Sequence, residues 1–258
     1  MKTKTLVLLA TLLVARAGAQ SVLFDFDNAP IYTPLPISLT VGGITAQFSA
    51  TGQGFSVQQA NVLGFTPAGF SGLCLYPSSV YGADLLVSFS TALTNFSILY
   101  SPEEYACDSS ATMRVTAYSD GAFVGSATTN AQPGTWPTET LQISAAQGFN
   151  SVVVHYDAAP ITGGDYGPVF LADNMAVVPA PPPIVLANAQ RLAGGAFQFA
   201  FTAAPNTPFT VLAFTNPATS LAGCSLLTGV LEISSGHYQF TDLQATNFPQ
   251  RLYRVRSP

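Results

Sequence analysis

The stretch VFLADNMAV at 169–177 sets Asp173 inside an apolar run. Period-two alternation puts Val169, Leu171, Asp173, Met175 and Val177 on one face, so the carboxylate interrupts a hydrophobic stripe. An ionised carboxylate in such a place is costly unless it is paired or hydrogen-bonded. Residues 20–178 hold eleven acidic side chains and a single cationic one, Arg114. A bound cation would balance the charge, and Ca²⁺ suits a set of carboxylate, amide and backbone oxygens. The candidate ligands are Asp25, Asp27 and Asn28 near the start of the chain, with Asp173 and Asn174. In the alternative reading, Asp173 accepts backbone N–H bonds at a strand end while Asp25 and Asp27 face water. Asp157 and Asp165, in DAAPITGGD, form a second acidic loop, and no EF-hand spacing is present.

Catalysis finds less support. A serine triad needs a histidine base, and the chain has only His155 and His237, with neither a G-x-S-x-G nor an H-E-x-x-H context. Glu103 and Glu104 are adjacent, which suits a solvated acidic turn better than two carboxylates facing across a cleft. Saccharide binding asks for aromatic faces beside polar groups. Tyr76, Tyr81, Tyr105, Trp136 and Tyr166 fall in expected loops or strand edges and are the candidates for that role.

The elements that position these residues are strands. SVLFDFD alternates Val22, Phe24 and Phe26 with Leu23, Asp25 and Asp27. ATMRVTAYS and AFVGSATTN flank Asp120-Gly121, a hairpin signal because a primed turn needs positive φ. DLLVSFS, TNFSILYS, TETLQIS and FNSVVVHY supply further strands, and no window sustains a helical period. The expectation is an all-β antiparallel sandwich over 20–178. PAPPP at 179–183 reads as a semi-rigid linker. Residues 184–258 form a smaller sandwich, with Phe197, Phe199 and Phe201 on one face. Charge divides at the same place: a net of −10 over 20–178 and +2 over 184–258.

Residues 1–19 combine two lysines, an apolar run and Ala17-Gly18-Ala19, the pattern of a secretory signal peptide. The mature chain is then expected to be secreted or held in the cell envelope, with no membrane span. Five arginines against thirteen acids disfavour a nucleic-acid partner, which requires clustered cations. In an oxidising compartment Cys74 could pair with Cys107, leaving Cys224 as a buried thiol.

The segment from FSILY through MRVTAYSDGAFVGSATT and GFNSVVVHYD to LADNMAV resembles the jelly-roll, galactose-binding-like or carbohydrate-binding-module-like domains of exported bacterial proteins. Ser119 stands where those domains usually carry the aspartate of the hairpin, with Asp120 one place later. FTVLAFTNPATSLAGCSLLTGV and GHYQFTDLQATNFPQRLYRVRSP resemble a fibronectin type III-like terminal module, with Cys224 where a core tryptophan normally packs. The first resemblance implies a structural calcium joining the first and last strands, and a polysaccharide partner. The expected function is that of an exported, non-enzymatic binding protein. A structural or adhesive protein docking on a cell-surface protein is the alternative, and a secreted hydrolase a third.

Overall fold

The computed structural model describes residues 20–256 apart from 53, 63, 79–81, 103–111, 131–136, 159–168, 182 and 221–222. Among the described residues there is no α-helix, and the chain is all-β, as its alternating pattern requires. It divides into two compact units, Ala19–Ala180 and Pro181–Pro258.

The first unit contains β1 (Val22–Phe24), β2 (Ile37–Val41), β3 (Ile44–Ala50), β4 (Phe55–Gln59), β5 (Leu73–Pro77), β6 (Leu85–Pro102), β7 (Thr112–Ser119), β8 (Ala122–Asn130), β9 (Glu139–Ala158) and β10 (Phe170–Pro179). All pairings are antiparallel. DLLVSFS and TNFSILYS are two arms of the single strand β6, just as TETLQIS and FNSVVVHY are two arms of β9. The arm Leu85–Phe89 pairs with β3, whereas Asn95–Pro102 pairs with β10. The ladder between β6 and β9 breaks between these arms. Phe89 and Phe96 place their ring centroids 6.4 Å apart across the break. Seven extended residues would span about 23 Å, so β6 folds over and contributes to both layers of a sandwich.

The core lies between those layers. Phe48 on β3 meets Phe24 and Phe26 edge-on at 6.3 and 5.1 Å, and Leu85, Val87, Ile98, Leu141, Val152 and Met175 are fully buried in the same cluster. The first and last strands are neighbours, with Val22 opposite Val177 and Phe24 opposite Met175. The Asp120-Gly121 hairpin forms as expected, with φ +49 and +82 at its two turn residues. Asn150 pins its tip, accepting the Asp120 N–H at 3.0 Å and donating to the Asp120 carboxylate at 2.7 Å.

The expected linker starts later than 179. Pro179 still sits opposite Leu93, and the Ala180 N–H donates to the Ala92 carbonyl at 2.8 Å. A proline fits there because the ladder is already irregular between Val178 and Pro179.

The second unit has a four-stranded sheet, ordered β11 (Ala187–Arg191), β12 (Phe197–Thr202), β16 (His237–Asp242), β15 (Leu231–Ser234). A three-stranded sheet follows the order β14 (Ser225–Leu227), β13 (Thr210–Phe214), β17 (Leu252–Arg256). Phe199, Phe201, Val211, Tyr238 and Phe240 form the core, and Phe197 stacks on Tyr253 at 5.1 Å. Cys224 does not join this core. It is half-buried beside the short strand β14, and its S–H donates to the Ser220 carbonyl at 3.4 Å. The core position inferred from its resemblance to a packed tryptophan is therefore corrected.

Candidate functional site

The period-two reading of β10 fails at one residue. Asn174 adopts φ +48, and the register against β6 slips between Asp173 and Ala176. Such a bulge inverts the alternation. Phe170 and Ala172 before it, and Met175 and Val177 after it, all enter the main core. Leu171 instead packs with Ala60, Phe70 and Cys74 in a small second cluster. Asp173 thus turns away from the stripe it was expected to interrupt, and lies beneath the loop leading into β5.

That loop closes on the carboxylate. Asp173 is fully buried and accepts the Ser71 N–H at 3.2 Å through Oδ2 and the Asn174 N–H at 2.7 Å through Oδ1. The Asn174 side chain donates to the Gly69 carbonyl at 2.9 Å, tying the same loop to the bulge. From the other side, Asp27 accepts the Leu73 N–H at 2.7 Å. Gly72 lies between these two anchors with φ +56, and a Cβ there would sit 1.8 Å from Asp27 Oδ1. Only glycine lets the loop lie so close to Asp27. Burial pushes the Asp173 carboxyl up to about 7; the two backbone N–H bonds oppose this, and the charges of Asp27 and Asp25 add to it.

The five expected calcium ligands divide among three places. Asp25 and Asn28 line a recess of about 300 Å³ against Thr40 and Val41. Asp27 opens on a different cleft, and Asp173 and Asn174 lie under the loop. The Asp27 N–H itself donates to Asp25 Oδ1 at 3.2 Å. Among the described residues no three His, Cys, Asp or Glu side chains are grouped as a metal site. Asp173 accepts backbone amides as in the alternative reading, but at a bulge inside β10 rather than at a strand end, and Asp27 accepts one as well.

The cleft beside Asp27 measures about 500 Å³ and is lined by Gln59, Ala60, Asn61, Thr66, Ser71, Gly72 and Leu73. These residues were not singled out by type. Gln59 ends β4 and Leu73 begins β5; the others belong to the long connection between these strands, residues 60–72, and a loop of that length with no strand among its described residues was the available signal. Internal bonds hold it, including Ala60 N–H to the Gly72 carbonyl at 2.9 Å and Gly64 N–H to the Asn61 carbonyl at 2.9 Å.

Of the aromatic candidates, Tyr76 lies on β5 and packs half-buried against the Phe70–Cys74–Leu171 cluster. Tyr81, Tyr105, Trp136 and Tyr166 fall outside the described residues, as do residues 1–19, Glu103, Glu104, Cys107 and Asp165. Cys74 is a free, fully buried thiol that burial, and then the Asp173 charge, push up to about 12. His155 pairs through Nδ1 with Asp84, whose N–H donates to Thr51 Oγ1 at 2.8 Å. Among the described residues no hydroxyl is hydrogen-bonded to the imidazole. Arg114 is committed to Asp157 at 2.7 Å.

No protein-family model matches the sequence, and no curated protein matches it. Solved structures do. The K2 cleaved adhesin domain of Lys-gingipain aligns over 62% of this chain and 99% of its own, at 14% identity and a TM-score of 0.39. The CBM51-2 and INT domains of Clostridium perfringens ZmpB align over 53% of this chain and 38% of theirs, at 12% identity and a TM-score of 0.29. A β-1,2-glucanase from Parabacteroides distasonis aligns over 82% of this chain and 34% of its own, at 14% identity and a TM-score of 0.29. Among the described residues no helix is long and apolar enough to cross a membrane.

Proposed function

We propose that this chain is an exported, non-catalytic binding protein whose N-terminal sandwich takes a neutral saccharide in the cleft beside Asp27. The observation that carries the reading is the cleft's lining: one carboxylate, the amides of Gln59 and Asn61, and the hydroxyls of Thr66 and Ser71. Amides donate and accept at once, hydroxyls do either, and the carboxylate accepts, which together match vicinal sugar hydroxyls. The net charge of −10 over residues 20–178 repels uronic-acid or sulfated chains.

Titration calorimetry of the mature chain against neutral and acidic oligosaccharides tests this. Neutral sugars are expected to bind, acidic ones are not, and Gln59→Ala with Asn61→Ala is expected to weaken binding at least tenfold. Gly72→Ala is expected to abolish binding, because its Cβ displaces Asp27 from the Leu73 N–H. Absence of heat with every sugar overturns the reading.

Calcium is a second reading of the same loop. It rests on two carboxylates, Asp27 and Asp173, that grip the loop at the Leu73 and Ser71 N–H groups. An ion shared by Asp27 and Asp173 would hold the loop as the amides do. The same titrations in EDTA and in added Ca²⁺ decide it: a cation-dependent loop binds sugar only with calcium, whereas an amide-held loop is indifferent.

A further inference from the structure

The cleft beside Asp27 is lined by one charged group among neutral ones, and that charge is unbalanced. Asp27 Oδ1 accepts the Leu73 N–H at 2.7 Å, while Oδ2 has no hydrogen-bond or ion-pair partner among the described residues. Gly72 leaves that second oxygen uncovered, since a Cβ there would stand 2.7 Å from it. Residues 20–178 hold no lysine, one arginine and one histidine. Arg114 is bonded to Asp157 at 2.7 Å and the His155 imidazole to Asp84, so neither neutralises Asp27. Gln59, Asn61, Thr66 and Ser71 line the same cleft, exposed and uncharged. Each can hydrogen-bond a hydroxyl, but none can cancel a carboxylate.

We infer that the cleft prefers a saccharide bearing a protonated amine, with the ammonium on Asp27 Oδ2 and ring hydroxyls on the amides of Gln59 and Asn61. The inference rests on the saccharide reading and adds a preference within it. Neutral rings satisfy the amides and hydroxyls, and an amine in place of one hydroxyl brings the counter-charge that residues 20–178 lack. An ammonium supplies three donors and a positive charge, and charge-assisted hydrogen bonds are roughly twice as strong as neutral ones. A metal ion would ask for more carboxylates, and among the described residues no three His, Cys, Asp or Glu side chains are grouped to hold one. A lysine side chain would carry its charge on an apolar stem past a lining of amides and hydroxyls. An amino sugar carries charge and hydroxyls together.

Titration calorimetry of the mature chain, at a pH where the amine is protonated, tests it. Glucose, galactose and mannose oligosaccharides are each compared with the counterpart in which a free amine replaces the hydroxyl beside the anomeric carbon, and with its N-acetylated form. The amine form of a bound sugar is expected to bind about fivefold to tenfold more tightly than either neutral form. Molar salt is expected to remove that advantage and leave neutral binding unchanged. Asp27→Asn keeps an oxygen for the Leu73 N–H and is expected to bring the amine form down to the affinity of the neutral ones. Neutral sugars that bind as tightly as their amine counterparts overturn the inference and leave the saccharide reading standing, whereas absence of heat with every sugar overturns both. A preference that survives Asp27→Asn or molar salt overturns the inference too. So does a lysine tripeptide that binds as tightly as the amino sugar, because charge alone then suffices.

Discussion

Lowering the pH from 8 to 5 is expected to stabilise the N-terminal unit by about 2–3 kcal/mol, and Asp173→Asn to remove most of that gain. The sign follows from the direction of the shift. Burial raises the folded-state carboxyl to about 7, against an ordinary value of 3.8. Between those values the folded chain holds a proton that the unfolded chain has released. Stability from this group is therefore complete at low pH and falls as the pH rises through the window. Above about 7 the carboxylate is ionised in both states and the slope ends.

The charges near Asp173 act in the same sense. Asp25 and Asp27 both favour its protonated form. Arg114, the one cationic side chain in residues 20–178, is bonded to Asp157. Trp136 is the only tryptophan and belongs to this unit by sequence, so urea melts followed by its emission at several pH values provide the measurement. Asparagine keeps the shape but cannot accept every bond that Asp173 receives from Ser71 and Asn174, so the variant is expected to be less stable than wild type at pH 5 and close to it at pH 8. A wild type that is flat from pH 5 to 8, or a variant that keeps the whole slope, would show that Asp173 is not the group responsible.

Asp173 also shows where sequence reading reached its limit. Its burial and the shortage of cationic partners are legible in VFLADNMAV and in the residue count. Its face is not, because a single Asn174 with positive φ inverts the alternation, and asparagine in a strand pattern does not announce that conformation. The loop that satisfies it is equally hidden: Ser71 and Asp173 are 102 positions apart. Local patterns fare better. The Asp120-Gly121 turn and the all-β class follow from spacing alone, since side-chain alternation and turn chemistry act over a few residues. The arms of β6 and β9 read as separate strands because each has its own alternation, and only packing joins them across their breaks.

The second large effect belongs to the C-terminal unit. Asp242→Ala is expected to cost about 3–5 kcal/mol, comparable to the whole stability of a small domain at the low end of the usual range, about 5 kcal/mol. Asp242 and the Arg251 side chain are 4% and 7% exposed and lie 2.9 Å apart. Asp242 also accepts the Tyr253 hydroxyl at 2.9 Å and the Gln244 N–H at 2.9 Å, while Arg251 lies 4.2 Å over the Phe248 ring. Removing the carboxylate strands a buried guanidinium and a phenol together. Calorimetry of the whole chain should show this unit's transition lost, with that of the first unit in place. If the cost comes from the stranded charge rather than from lost attraction, Asp242→Leu combined with Arg251→Met should recover much of it, because neither partner is then left unpaired. Tyr253 supplies a separate reading. Burial, and then the bond to Asp242 and its charge, push the phenol up to about 12. In Asp242→Asn, which retains the shape, ultraviolet titration should find the phenol ionising at lower pH. A folded Asp242→Ala unit of wild-type stability would mean that the pair is held in place by the sheets and contributes nothing to holding them.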